Sequence, residues 1–298
     1  MKISFSTLRE FLSHYLGGLY RRIDRHHIFL MAGGLAFSLF ICIIPLVLII
    51  FAAIGIILEK PSVAGEINIF IDKVIPYQSY AQSIKDIVFA RIDEFRVFKS
   101  LAGIIGFLGL LIASSSLFSS MRTTLNTVYY IRVKENVFIG KLRDLGLIVI
   151  VLTYFLLTTT ILPGVEIVSE LAEQSEFFGW FRLGFLGDII VGGISFLIIF
   201  LAFFILYFLL PQRKLPKRVV LVSALSSAIL WELAKYFFGF YITQVASFKR
   251  VYGAYVFLIV SAFWVYYTSI VFILGAEIGQ LYREWIKKYH IQARRNSV

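Results

Sequence analysis

FLMAGGLAFSLFICIIPLVLIIFAAIGIIL, residues 29–58, runs for thirty positions without a charged side chain. Coiled as an α-helix it extends about 45 Å, more than the roughly 30 Å hydrocarbon core of a bilayer. Such a run reads as a transmembrane helix long enough to tilt or to continue beyond the lipid. It is too long for the apolar region of a signal peptide and follows a polar amphipathic segment, so no cleavable signal is expected. Cys42, inside it, is the one cysteine of the chain, which excludes an intrachain disulfide and a Cys-rich metal site.

Working outward, further mainly apolar runs stand at about 100–120, 144–165, 186–210, 219–246 and 252–280. They do not alternate as barrel strands do, and lipid cannot satisfy exposed backbone groups, so the spans must be helices. Composition agrees: 59% of the 298 residues are hydrophobic and 16% charged, with mean hydropathy +0.84. A soluble domain is nearer half apolar and a quarter charged. The expected fold is therefore an all-α membrane protein, a bundle of six transmembrane helices over residues 29–281.

The net charge of +11 suggests nucleic acid until the cations are placed. Nineteen of the 29 Lys and Arg fall in the N-terminal segment, the second and fourth connections and the tail. Nine fall in the other connections, six of them spread over the long 59–99 loop, and Lys235 lies within the fifth span. Short loops carry most weight, above all Arg213, Lys214, Lys217 and Arg218 against the single Arg182. Both termini are thus expected on the cytoplasmic side, residues 282–298 forming a basic cytoplasmic tail. The basic excess becomes a topology signal, and no nucleic-acid partner is expected.

Three stretches outside the spans draw attention. Leu8, Phe11, Leu12, Tyr15, Leu16, Leu19 and Ile23 share one helical face, with Arg9, Arg21 and Arg22 elsewhere. Residues 1–28 therefore read as a cytoplasmic interfacial amphipathic helix with its cations toward anionic headgroups. In the external loop 59–99, one apolar stripe (Ile67, Phe70, Ile71, Val74, Ile75) precedes Pro76 and a second (Ile84, Ile87, Val88, Ile92, Phe95) follows it, and the two read as amphipathic helices capping the external face of the bundle. The loop after the third span carries Glu166, Glu170, Glu173 and Glu176, which suits an external face.

A charge inside a membrane is costly, so ionisable residues there are functional candidates. Glu232 and Lys235 lie roughly 20–24 Å along the fifth span from Val219 and share a face at i and i+3. They can simply neutralise one another and lock packing, or line a path for a headgroup or proton. Ser223, Ala224, Ser226, Ser227 and Ala228 permit close helix approach in either case. Glu277, after Gly275 and Ala276, can snorkel to water or cap a basic loop, or belong to the same polar path. Arg122 and Asn126 follow the hydroxyl run of Ser114, Ser115, Ser116, Ser119 and Ser120, whose side chains bond readily to their own backbone. Pro45 and Pro163 are candidate helix breaks of the kind transporters use. The four histidines, His14, His26, His27 and His290, stand outside the spans without metal-ligand spacing, and no Walker A or GxSxG sequence occurs. No enzyme, cofactor or metal is expected.

Five segments taken in order are AGGLAFSLFICIIPL (32–46), RTTLNTVYYIR (122–132), YFLLPQRKLPKR (207–218), LWELAKYFFGFYIT (230–243) and VYGAYVFLIVSAFWVYYTSIVFILGAEIG (251–279). Together they resemble the YihY/BrkB family of bacterial inner-membrane proteins over roughly residues 20–285. The resemblance implies six spans, cytoplasmic termini and the bacterial cytoplasmic membrane. It implies family positions at Asn126, Tyr129, Pro211, Glu232, Lys235, Tyr252, Gly253, Trp264, Gly275, Ala276 and Glu277, with Pro45 in the first-span motif. Gly34 and Cys42 depart from the family pattern, where Asn and a small hydroxyl residue are common. Members have been linked to serum resistance and to movement of lipid or lipopolysaccharide precursors, and an old ribonuclease label circulates. The lack of a metal-nuclease ligand set in this sequence argues against that label. The leading expectation is a transporter or flippase for a lipid or amphiphile, with membrane lipids as partners. A non-catalytic envelope scaffold is the alternative, and the sequence is silent on oligomeric state.

Overall fold

The computed structural model describes residues 13–60, 78–132, 184–245 and 255–295, the stretch 139–158 apart from 141 and 145, and residues 63, 65, 67 and 69. Among these the regular structure is helical, with no strand. A π-helical turn, Ser13–Gly17, leads into α1 (Gly18–Arg25), followed by α2 (Ile28–Leu58) and α3 (Gln78–Val128). Helix α4 lies within 139–158. Then come α5 (Gly184–Leu209), α6 (Lys217–Val245) and α7 (Tyr255–Arg295). Five stretches are long and apolar enough to cross a membrane: Ile28–Leu58, Val97–Val128, Gly192–Leu209, Lys217–Gly239 and Ile259–Lys288. The predicted span at 144–165 is helical over 146–158, and its remainder lies outside the described residues, as do Pro76, Pro163, Arg182 and the Glu166–Glu176 acidic run.

One boundary differs from the sequence expectation. The second apolar stripe and the span after it form a single helix, α3, rather than a loop helix and a separate membrane helix. No Gly or Pro occurs between Gln78 and Ala102, so nothing in the backbone chemistry stops the helix where the polar residues do. Likewise α7 continues as helix to Arg295, through most of the basic tail.

The chain divides into two compact units, Ser38–Ser116 and the described parts of Met1–Phe37 with Leu117–Val298. Within the first, α2 and α3 pack antiparallel along a glycine stripe. A Cβ on Gly103 would meet Ala52 Cβ at 3.4 Å, one on Gly106 the Ile49 backbone N at 3.0 Å, and one on Gly109 the Pro45 ring at 3.3 Å. Helix α2 is continuous through Pro45, and Gly109 makes room for that ring. At the end of this pair Lys99 bonds Glu59.

The second unit is built on α6 and α7, its most extensive pairing, with α5 against α6. Apolar burial does not drive helix association in lipid; close backbone approach and hydrogen bonds do. Both are present. A Cβ on Gly275 would fall 1.8 Å from Ser227 Oγ, and one on Gly279 1.8 Å from Ser223 Oγ. The register Ser227–Gly275 and Ser223–Gly279 makes the helices antiparallel, with small residues four apart on both. Tyr207 of α5 closes the group: its hydroxyl donates to the Phe272 carbonyl at 2.6 Å and shares a 2.6 Å bond with Ser227 Oγ. Many large apolar side chains face outward, among them Leu30, Ile112, Leu156 and Leu233, as lipid-facing residues do.

Candidate functional site

Two polar loci stand out within the α6–α7 unit. The first surrounds Glu277, whose side chain is fully buried. Helix α1 delivers Arg22 to it. Arg22 Nη1 donates to Glu277 Oε2 at 2.8 Å, and Nη2 donates to Glu284 Oε1 at 2.6 Å. His26 Nδ1 lies 2.5 Å from Glu277 Oε1, and its Nε2 lies 3.1 Å from the Tyr130 hydroxyl. Gln280 Nε2 adds a 3.0 Å bond to Glu284.

Two proton arrangements satisfy this chain. A neutral imidazole donates from Nδ1 to Glu277 and accepts from Tyr130 at Nε2; an imidazolium donates both ways. Burial disfavours the Arg22 guanidinium, but its bonds to Glu277 and Glu284 outweigh that and hold its pKa above the ordinary value. The backbone is unusual at the same place. His27 (φ 47°) and Tyr130 (φ 54°) are the two non-glycine residues of positive φ among those described. That region costs an L-residue about 1–2 kcal/mol. Tyr130 ends α3 in a Schellman pattern, with Tyr130 N–H donating to Thr127 O and Ile131 N–H to Asn126 O.

The second locus is Glu232 with Lys235, bonded to each other at 2.7 Å on α6 and both partly exposed. Glu232 Oε1 is buried and has no hydrogen-bond partner among the described residues. Between α6 and α7 lies a cavity of about 430 Å3, lined by Ala234, Phe237, Phe238, Phe263, Tyr266 and Tyr267. Ala234, Phe237 and Phe238, at i, i+3 and i+4, put this cavity on one face of α6, and Glu232 and Lys235 stand on another face of the same helix. Trp264 meets Phe238 at a tilt (4.4 Å between ring centres) and Trp231 edge to face (5.1 Å).

The other singled-out residues hold helices together. Arg122 pairs with buried Asp144 of α4. Asn126 donates to Gln212 Oε1 at 2.9 Å and accepts from its N–H at 3.2 Å, clamping the α5–α6 connection. Arg143 donates to the carbonyls of Leu209, Leu210 and Pro211, placing a cation on the negative end of α5. Tyr129 bonds Ser223 Oγ at 2.8 Å, and burial, against that bond, pushes its phenol well above the usual range. Gly275 and Ala276 lie in the α6–α7 seam, while Tyr252 and Gly253 lie outside the described residues.

Sequence reasoning singled out Glu277 but not its partners. Arg22, expected among the cations that face headgroups, is turned inward and buried. Its partners had a faint signal: Arg22 and His26 recur at i and i+4, and Glu277, Gln280 and Glu284 at i, i+3 and i+7. Each set shares a helical face, and the two faces carry opposite charge.

Apolar helices of membrane-crossing length, a small-residue seam and ionic groups buried among them define a polytopic α-helical membrane protein. The chain belongs to the virulence factor BrkB family, whose model matches residues 19–297. It is 27% identical to a UPF0761 membrane protein of Cronobacter sakazakii over 87% of this chain and 85% of that protein. A UPF0761 membrane protein of Pseudoalteromonas atlantica is 26% identical, covering 92% of this chain and 86% of its own length. The relative in Prosthecochloris aestuarii is longer: 27% identity covers 91% of this chain but 60% of that protein. These names identify membrane proteins and none names an enzyme. No solved structure matches the chain.

Proposed function

We propose that this protein is a non-enzymatic transporter of the bacterial inner membrane, a flippase for a lipid or amphiphile that serves envelope maintenance. The observation that carries this reading is the partly exposed Glu232–Lys235 pair on α6, a helix of membrane-crossing length that also lines an aromatic cavity. An amphiphile needs a polar station for its headgroup and an apolar one for its chain. The pair offers both charges, and a volume of about 430 Å3 is within the roughly 300–1,000 Å3 of small-ligand sites. In this reading the helix at 139–158 belongs to a sixth span, and the termini lie in the cytoplasm on the side of the basic short loops. The segment ending in α1 then rests in the cytoplasmic interface. No cofactor takes part, and the lipid gradient or an ion gradient drives the movement.

Reconstituted into liposomes, the protein should accelerate transbilayer lipid movement over protein-free vesicles. Glu232→Gln and Lys235→Met should each slow it at least severalfold while leaving the protein folded. Folded variants with undiminished rates remove the pair from the path. Wild-type protein without any acceleration sinks the transport reading and favours a scaffold.

A further inference from the structure

The basic residues of α1 and of the turn after it divide into two sets. Arg22 turns inward to Glu277 and Glu284, and His26 joins it. Arg21, Arg25 and His27 are exposed, and among the described residues none has an ion-pair partner. They line, with Tyr20, Asp24 and Phe29, a cavity of about 790 Å3 at the corner where α1 meets α2. Leu30 also borders it.

Three features of this corner point to one ligand chemistry. Two guanidinium groups, Arg21 and Arg25, line it with a single carboxylate, Asp24, so the cavity favours an anion. Its far wall is the N-terminus of α2, whose helix dipole also favours negative charge. And the wall is amphipathic: Phe29 is 57% exposed and Leu30 77%, and both open the membrane-length run Ile28–Leu58. The polar part of the cavity therefore stands where that helix enters lipid, and the apolar part lies against the first turn within it. Tyr20, 78% exposed, is an aromatic residue of the kind enriched at that boundary.

We propose that the α1–α2 corner binds the phosphate-bearing headgroup of an anionic phospholipid. Arg21 and Arg25 pair with the phosphate, His27 donates a hydrogen bond to it, and Phe29 and Leu30 pack on the glycerol and upper acyl region. This site is separate from the Glu232–Lys235 pair and from the aromatic cavity between α6 and α7. It requires that α2 lie in a membrane and does not rest on transport.

The test uses the full chain in neutral detergent, titrated with fluorescent phosphatidylglycerol and, separately, phosphatidylcholine. Phosphatidylglycerol should bind at least 10-fold more tightly. Arg21→Ala with Arg25→Ala should weaken it roughly 10- to 30-fold, the loss expected for two cations at an anionic surface. Removing equal charge from the exposed α5–α6 connection, Arg213→Ala with Lys214→Ala, should change affinity less than about 3-fold. Phe29→Ala should weaken the lipid as well. Equal losses in both double variants, or equal affinity for the two lipids, overturn the proposal. So does displacement of the lipid by submillimolar inorganic phosphate, which would mark a free-anion site. A photoactivatable phosphatidylglycerol on the wild-type chain provides a measurement independent of any variant. Label within residues 20–30 supports the site, and label confined elsewhere refutes it.

Discussion

Replacing Gly275 with alanine places a methyl carbon 1.8 Å from Ser227 Oγ, 2.9 Å from Tyr207 Oη and 3.0 Å from the Ser223 carbonyl oxygen. The serine hydroxyl can rotate away, but doing so breaks its bond to Tyr207, whose ring is wholly buried. That loss is about 1 kcal/mol. The Ser223 carbonyl cannot rotate, because it belongs to the α6 backbone, so the two helices must part. Overpacking of this sort costs about 1–3 kcal/mol. Against it stands the better helix propensity of alanine, worth up to about 1 kcal/mol. The net expectation is a destabilisation of about 1–3 kcal/mol. Unfolding in mixed micelles with increasing dodecyl sulfate measures it. Gly193→Ala is the control, since its Cβ would meet nothing within 4 Å and only the propensity gain remains. Combining Gly275→Ala with Ser227→Ala removes the atom at 1.8 Å, so the double variant should be more stable than the two single losses added together, by at least about 0.5 kcal/mol. A Gly275→Ala protein as stable as the Gly193→Ala control refutes the close-packed seam.

Two further outcomes concern the ionic groups. Glu277→Gln leaves Arg22 buried opposite a neutral amide, and breaking a buried pair costs about 3–5 kcal/mol, here toward the lower figure because Glu284 remains. Arg22→Met with Glu277→Met should recover much of that loss in the same unfolding assay; a double variant as unstable as Glu277→Gln shows that an uncompensated charge is not the cause. Arg143→Leu takes the cation from the end of α5 and should cost about 1–2 kcal/mol. Hydrogen exchange should quicken around residues 206–213, and unchanged protection there contradicts the capping role.

Much of the architecture was legible because its cause is local. Thirty uncharged residues must be a helix in lipid whatever lies beside them, and a Gly-free, Pro-free stretch continues as helix even where polarity suggests a loop, as α3 shows. The Glu232–Lys235 contact was legible for the same reason: three residues on one helix are neighbours by geometry alone.

The Glu277 cluster was not, because its parts are separated by about 250 residues of sequence. An arginine on a short amphipathic helix looks the same in sequence whether it faces headgroups or a buried carboxylate. Which way Arg22 turns depends on where α7 places Glu277 and Glu284, and that depends on α6 and α7 meeting closely enough at Ser223, Ser227, Gly275 and Gly279. Sequence by itself determined that this is a helical membrane protein, which α6 residues are small enough for close contact and that a charge within a span needs a partner. Tertiary structure decided the partners, because a hydrogen bond needs atoms within about 3 Å and only the packed helices bring them there.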